Sequence, residues 1–175
     1  DELEKVKEDI KRLLDDVRRE VEKVNRDSRR LLEDLRRVVK EVSDRSKELA
    51  EDLERKVGRD EDVERVKREL EKLNRELERI LEEAAREVKR LNKEHDDKLK
   101  KAEDDVRKLL EELERDNLPV EDVLREVKRL AEEVKKETKR VLDEIKKLVE
   151  DVARELERIL EDSERLIREV EKRAT

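Results

Sequence analysis

The sequence predicts an all-α fold, a straight, untwisted, antiparallel up-down-up three-helix bundle. Three observations point to it. Apolar residues recur with an 18-residue repeat along the chain. The only glycine and the only proline, Gly58 and Pro119, stand at two breaks that divide the chain into similar thirds. The composition is 60% charged and 33% hydrophobic, with no Phe, Tyr, Trp, Met, Cys or Gln. So much charge often means disorder, but here the apolar third is periodic rather than scattered, which is the mark of long helices.

Helix 1 is expected over about 2–57. Its apolar positions step by three, four, three, four and four residues: Leu3, Val6, Ile10, Leu13, Val17, then Val21, Val24, Ser28, Leu31, Leu35, then Val39, Val42, Ser46, Leu49, Leu53. Only Ser28 and Ser46 interrupt the pattern. Asp1 and Glu2 suit the positive end of the helix dipole, and Arg55 and Lys56 the negative end. Gly58 follows, where a left-handed residue ends a helix.

Helix 2 is expected over about 61–116, with Asp60 as its N-cap. The same columns run from Val63 to Leu113, with His95 at an inward position. Asn117 is expected in the left-handed terminal role, with Leu118 making the apolar contact of a Schellman motif. Helix 3 is expected over about 119–174, Pro119 being its first residue. Its columns run from Val120 to Val170, with Thr138 and Ser163 as the polar members. Flanking columns widen the seams: Leu14, Leu32 and Ala50, then Leu124, Leu142 and Leu160, then Ala131, Val149 and Ile167.

Eighteen residues in five turns is 3.6 per turn, the natural helical value, so the seam imposes no supercoil. Each helix should then be straight and about 80 Å long. The connections are short, so neighbouring helices must be antiparallel. Outer faces carry acid-then-base pairs four apart, such as Glu8 with Arg12, Asp15 with Arg19, Glu22 with Arg26 and Glu33 with Arg37. Each is worth only about 0.2–0.5 kcal/mol.

Neutral polar residues are scarce, so their heights matter. Folding at the two breaks brings Ser46, Asn74 and Ser163 level. The same register places Asn25, Ser28, Asn92, His95 and Thr138 within about one turn of another level. Two buried hydrogen-bond networks are therefore expected. Left isolated, such groups would each cost about 1–3 kcal/mol; joined, they fix register and exclude other pairings. The competing reading makes them boundary residues facing water. The meeting of Ser46, Asn74 and Ser163 across two independent loops favours the networks.

His95 invites a metal or catalytic reading. As a ligand it lacks partners: Leu91 and Leu99 occupy the four-residue spacings, no second His or any Cys exists, and Asp96 and Asp97 are too near in sequence to share its inward face. As a base it has no nucleophile beyond network Ser and Thr residues, no glycine-rich loop and no evident cleft. A structural histidine is expected, with no metal, no cofactor and no catalytic residue. If burial lowers its pKa, stability should fall as pH drops through the unfolded value near 6.5.

Other activities find little support. Arg18-Arg19, Arg29-Arg30 and Arg36-Arg37 are interleaved with acids, the net charge is −7, and no aromatic can stack on a base, so no nucleic-acid partner is expected. No membrane partner is expected either, since aromatic anchors are absent and each helix has an apolar seam for its neighbours. Asp1-Glu2-Leu3-Glu4 does not read as a signal peptide, and no apolar run approaches a membrane span. No natural localisation is expected, only a soluble product of recombinant cytoplasmic expression.

The pattern resembles de novo, parametrically designed helical bundles, including those given buried hydrogen-bond networks. The residues that carry the resemblance are the nine 18-residue repeats, the aliphatic core, Gly58 and Pro119 at the loops, and the layer Ser46, Asn74 and Ser163. It covers the whole chain. It implies a hyperstable scaffold without natural activity. Natural three-helix rods such as spectrin-like repeats are similar in outline, but they use heptads and core aromatics, and this chain has neither. The expected function is thus a monomeric structural scaffold and not an enzyme. The alternative is an interaction module whose apolar groove binds another helix or a second copy, as a homo-oligomer. Helix 3 has two apolar flanks, whereas Lys7, Asn25 and Ser43 line one flank of helix 1, and that asymmetry supports the alternative.

Overall fold

The computed structural model describes residues 1–174. Three helices, α1 (Glu2–Val57), α2 (Glu61–Glu114) and α3 (Val120–Ala174), pack against each other as an all-α three-helix bundle. No strand occurs among the described residues.

The caps explain why the helices stop where they do. Asp1 caps α1: its carboxylate accepts the Leu3 N–H at 3.4 Å and its carbonyl accepts the Lys5 N–H at 3.2 Å. At the other end the Gly58 N–H donates to the Glu54 carbonyl at 2.8 Å, and Gly58 takes φ +87°. A Cβ there would meet nothing within 4 Å, so the demand for glycine is one of backbone conformation alone. Asp60 caps α2 through its carboxylate, which accepts the Val63 N–H at 2.9 Å.

The second break differs from expectation by one residue. Asp116, not Asn117, takes the left-handed conformation, at φ 61°. The Asn117 N–H then donates to the Glu112 carbonyl at 3.0 Å and the Asp116 N–H to the Leu113 carbonyl at 3.1 Å. This is the paired bonding of a Schellman motif. Asn117 lies one place further on, its side chain donating to the Glu112 carboxylate at 2.9 Å. Asp tolerates the left-handed region nearly as well as Asn, so residue type did not separate the two. Consequently α2 ends at Glu114, not 116. Helix α3 begins at Val120, not at Pro119, whose carbonyl accepts the Val123 N–H at 3.2 Å.

The packing divides into two compact units. The first comprises Asp1–Arg29 and Val88–Lys146; the second comprises Arg30–Glu87 and α3 from Lys147 onward. The first has one large aliphatic cluster, built from Val6 to Val21, Leu99 to Leu113 and Val123 to Val134. The second has two. One gathers Ala50, Leu53, Val63, Val66, Leu70, Ile167 and Val170. The other gathers Val39, Leu77, Ala84, Val152, Leu156 and Ile159. In sequence, Ser46, Asn74 and Ser163 fall between these two clusters on all three helices.

The seam columns are buried or half-buried, with one exception. Leu31 is 37% exposed, and its neighbour Val38 is 41% exposed. Leu31 shares its column with Leu13 and Leu49, both only half-buried, so the column rides the edge of the seam. No α1 side chain is buried between Ser28 and Val39. On the surface, Arg19 and Arg37 pair with Asp16 and Asp34, three residues back and 3.7 Å away, rather than with Asp15 and Glu33. Both spacings meet on a helix, and exposed pairs of either kind contribute little.

Candidate functional site

The candidate site lies in the first unit, around His95, which is fully buried. Its placement follows from the repeat. His95 occupies an inward column of α2, and the antiparallel register brings Asn25 and Ser28 of α1 and Thr138 of α3 alongside. His95 Nε2 lies 2.7 Å from Thr138 Oγ1, and Nδ1 lies 3.3 Å from Asn25 Oδ1. Thr138 Oγ1 is also 3.0 Å from the Val134 carbonyl.

Asn25 continues the chain of bonds outward. Its Nδ2 donates to Asp96 Oδ1 at 2.7 Å. Its backbone carbonyl accepts the Ser28 hydroxyl at 2.8 Å. That hydroxyl has one proton, so it receives in turn from Asn92 Nδ2 at 2.9 Å. Asn25, Ser28, Asn92, His95 and Thr138 are thus hydrogen-bonded through one connected set, and Asp96 terminates it.

The second group of polar residues is arranged differently. Ser46, Asn74 and Ser163 form no bonds to one another among the described residues. The Ser163 hydroxyl turns back to the Ile159 carbonyl of its own helix at 2.8 Å. Asn74 is half-buried. Ser46 Oγ is buried with no hydrogen-bond partner. The expected three-helix network at this level is corrected accordingly. The Ser163 hydroxyl places its one proton on its own helix, with no ring nitrogen beside it to compete as there is beside Thr138, and Asn74 can reach water instead.

Two charged residues near His95 lie outside the expected network. Asp96, too near in sequence to share the inward face of His95, meets Asn25 across the α1–α2 seam instead. Glu137 is only 5% exposed. It accepts from Lys98 at 2.9 Å and from Arg140 Nε at 3.2 Å. The Arg140 hydrogen bonds and the Lys98 charge hold its carboxyl at about 2, well below the usual range, against the opposing effect of burial. Burial pushes the His95 imidazole below 6.5; Asp96 and Glu137 oppose that, and Arg140 adds to it.

The arrangement can bind and hold a proton. No group of three or more His, Cys, Asp or Glu side chains able to hold a metal occurs among the described residues. No described helix is long and apolar enough to cross a membrane. Neither a protein-family model nor any curated protein or solved structure matches the chain.

Proposed function

We propose that this chain is a designed structural scaffold with no natural biochemical activity, built to realise a helical-bundle geometry around buried polar residues. The observation that supports this most is the 18-residue repeat, carried by an aliphatic core through all three helices. Each helix is 54–56 residues long. That consistency between local pattern and global packing is what specifies a single structure. The experiment is light scattering after size exclusion over a wide concentration range, joined to thermal melting followed by circular dichroism. A constant mass of one chain and helicity retained above about 90 °C are expected. A mass that rises with concentration would sink the monomeric scaffold.

A second reading is an interaction module that binds another helix or a second copy. It is favoured by the exposure of Leu31 and Val38 on α1, and by a surface groove over Ile80, Ala84, Leu148 and Val152 of α2 and α3. A dimer in the same experiment, abolished by Leu31→Lys together with Val38→Lys, would establish it.

A further inference from the structure

Hydrogen-bond bookkeeping around His95 assigns more than contact. Asp96 is a half-buried carboxylate and, when ionised, can only accept. The Asn25 amide must therefore turn its NH₂ towards Asp96 and its oxygen towards the ring, as the 2.7 Å and 3.3 Å distances have it. An oxygen beside Nδ1 requires a proton on Nδ1. The alternative neutral form, protonated on Nε2, would set two bare acceptors against each other at 3.3 Å inside a low-dielectric core, which is costly. With Nδ1 protonated, Nε2 is an acceptor, and the Thr138 hydroxyl 2.7 Å away is placed to donate to it.

We infer that Asp96, acting through Asn25, locks neutral His95 in its Nδ1–H tautomer and leaves Nε2 as the atom that takes up a second proton, with the Thr138 hydroxyl turning to receive it. The turn has a destination. Once Nε2 is protonated it donates to Thr138 Oγ1, and the hydroxyl, its proton still on Oγ1, rotates to donate to the Val134 carbonyl 3.0 Å away. One proton is added to Nε2, no covalent bond breaks elsewhere, and no hydrogen bond is left unmade. Both charge states of the ring are therefore fully bonded in one side-chain arrangement. What still opposes protonation is first the burial of the charge and then the Arg140 guanidinium.

The charged surroundings are mixed. α2 contributes Asp96, and Lys98, which meets Glu137; α3 contributes Glu137 and Arg140. α1 meets the ring through the neutral amide of Asn25. Asp96 and Glu137 favour the imidazolium, and Arg140 opposes it. The lock thus rests on bond direction, while net charge sets only how far the pH must fall.

The chain has one histidine, so ¹⁵N-detected imidazole NMR on the full chain reads it without ambiguity. Above the titration, the proton should reside on Nδ1 with Nε2 bare, the form that free histidine populates least. As pH falls, Nε2 should gain its proton while circular dichroism and Nδ1–H are unchanged. Asp96→Asn, at a half-buried site, frees the Asn25 amide to flip and should shift the neutral ring towards the Nε2–H form, with helicity retained. A neutral ring protonated on Nε2 in the unaltered chain would overturn the assignment. So would protonation seen only with loss of helicity. An Asp96→Asn chain that keeps the Nδ1–H form would remove Asp96 from the lock.

Discussion

The two polar layers are built from equivalent backbone positions, yet one is bonded throughout and the other is not. Ser28 and Ser46 are one repeat apart on α1, and Asn92 and Asn74 are one repeat apart on α2. Ser28 bonds Asn92. Ser46, facing the equivalent level, has no partner. The difference lies in the company each keeps. Around Ser28 stand Asn25, His95 and Thr138; one repeat away, the same positions hold Ser43, Leu77 and Leu156. In the first layer each group's leftover donor or acceptor is taken by the next. In the second, the Ser163 hydroxyl bonds only its own helix and Ser46 is left bare. Level placement brings polar groups together, and only complementary donors and acceptors make them bond.

The comparison can be broken in its packing first. Leu91→Ala in the first unit and Leu77→Ala in the second, both 1% exposed, should each cost about 2–5 kcal/mol in denaturant unfolding. A much smaller loss at Leu77 would mean that the core beside the bare serine is already loose, and the contrast would be one of packing rather than bonding. Next in size, Thr138→Val keeps the shape but strands a ring nitrogen of His95, and should destabilise by about 1–3 kcal/mol. Ser46→Ala should do the reverse. It removes a buried, unpaired hydroxyl and improves helix propensity, and should stabilise by about 1 kcal/mol. Opposite signs at two equally buried hydroxyls sharpen the contrast; equal signs would end it.

Titration gives a smaller effect with a definite sign. The folded pKa of His95 is below 6.5, so the unfolded chain takes the proton first. Its contribution is present above about 6.5 and is lost as pH falls from there towards the folded value; His95→Leu should flatten that slope. Glu137, held at about 2 against a usual 4.5, adds stability above 4.5 that is lost as pH falls towards 2. Its partners Lys98 and Arg140 are substantially exposed, which screens the gain. The second unit has no histidine to match the first slope, while at Glu54 the hydrogen bond from Lys67 lowers the carboxyl in the same direction as at Glu137. Least of all, Leu31→Lys should change stability by no more than about 0.5 kcal/mol, because Leu31 buries too little to matter to one chain.

Much of this was legible in the residues. The repeat, the two breaks and the antiparallel register follow from apolar spacing, one glycine and one proline, and the cross-helix pairs fall within a turn of the register those imply. The role of Asp96 is legible too, in a column that repeats across the α1–α2 seam. Lys7 and Asn25 are one repeat apart on α1; opposite them, Glu114 and Asp96 are one repeat apart on α2. Lys7 pairs with Glu114 as Asn25 pairs with Asp96. Glu137 was harder. Its equivalent, Glu155, has the same arginine three residues on, but faces Ile80 where Glu137 faces Lys98. Burying that carboxylate needed the added cation from another helix, which no pattern within α3 contains. The choice of Asp116 over Asn117 turned on which residue best closed the last carbonyls of α2, a matter of geometry rather than type.

The placement of the two breaks also bears on how the chain reaches its structure. Gly58 lies within the second unit and Asp116 within the first. Each unit therefore contains one hairpin of helices that are consecutive in the chain, and one helical segment that arrives from far away in sequence. Near a tight turn, contacts close with little loss of chain entropy, and each doubling of the enclosed loop adds only about 0.6 kcal/mol. Local contacts of this kind also form fastest. Folding is accordingly expected to start separately near Gly58 and near Asp116, with the distant segment completing each unit last.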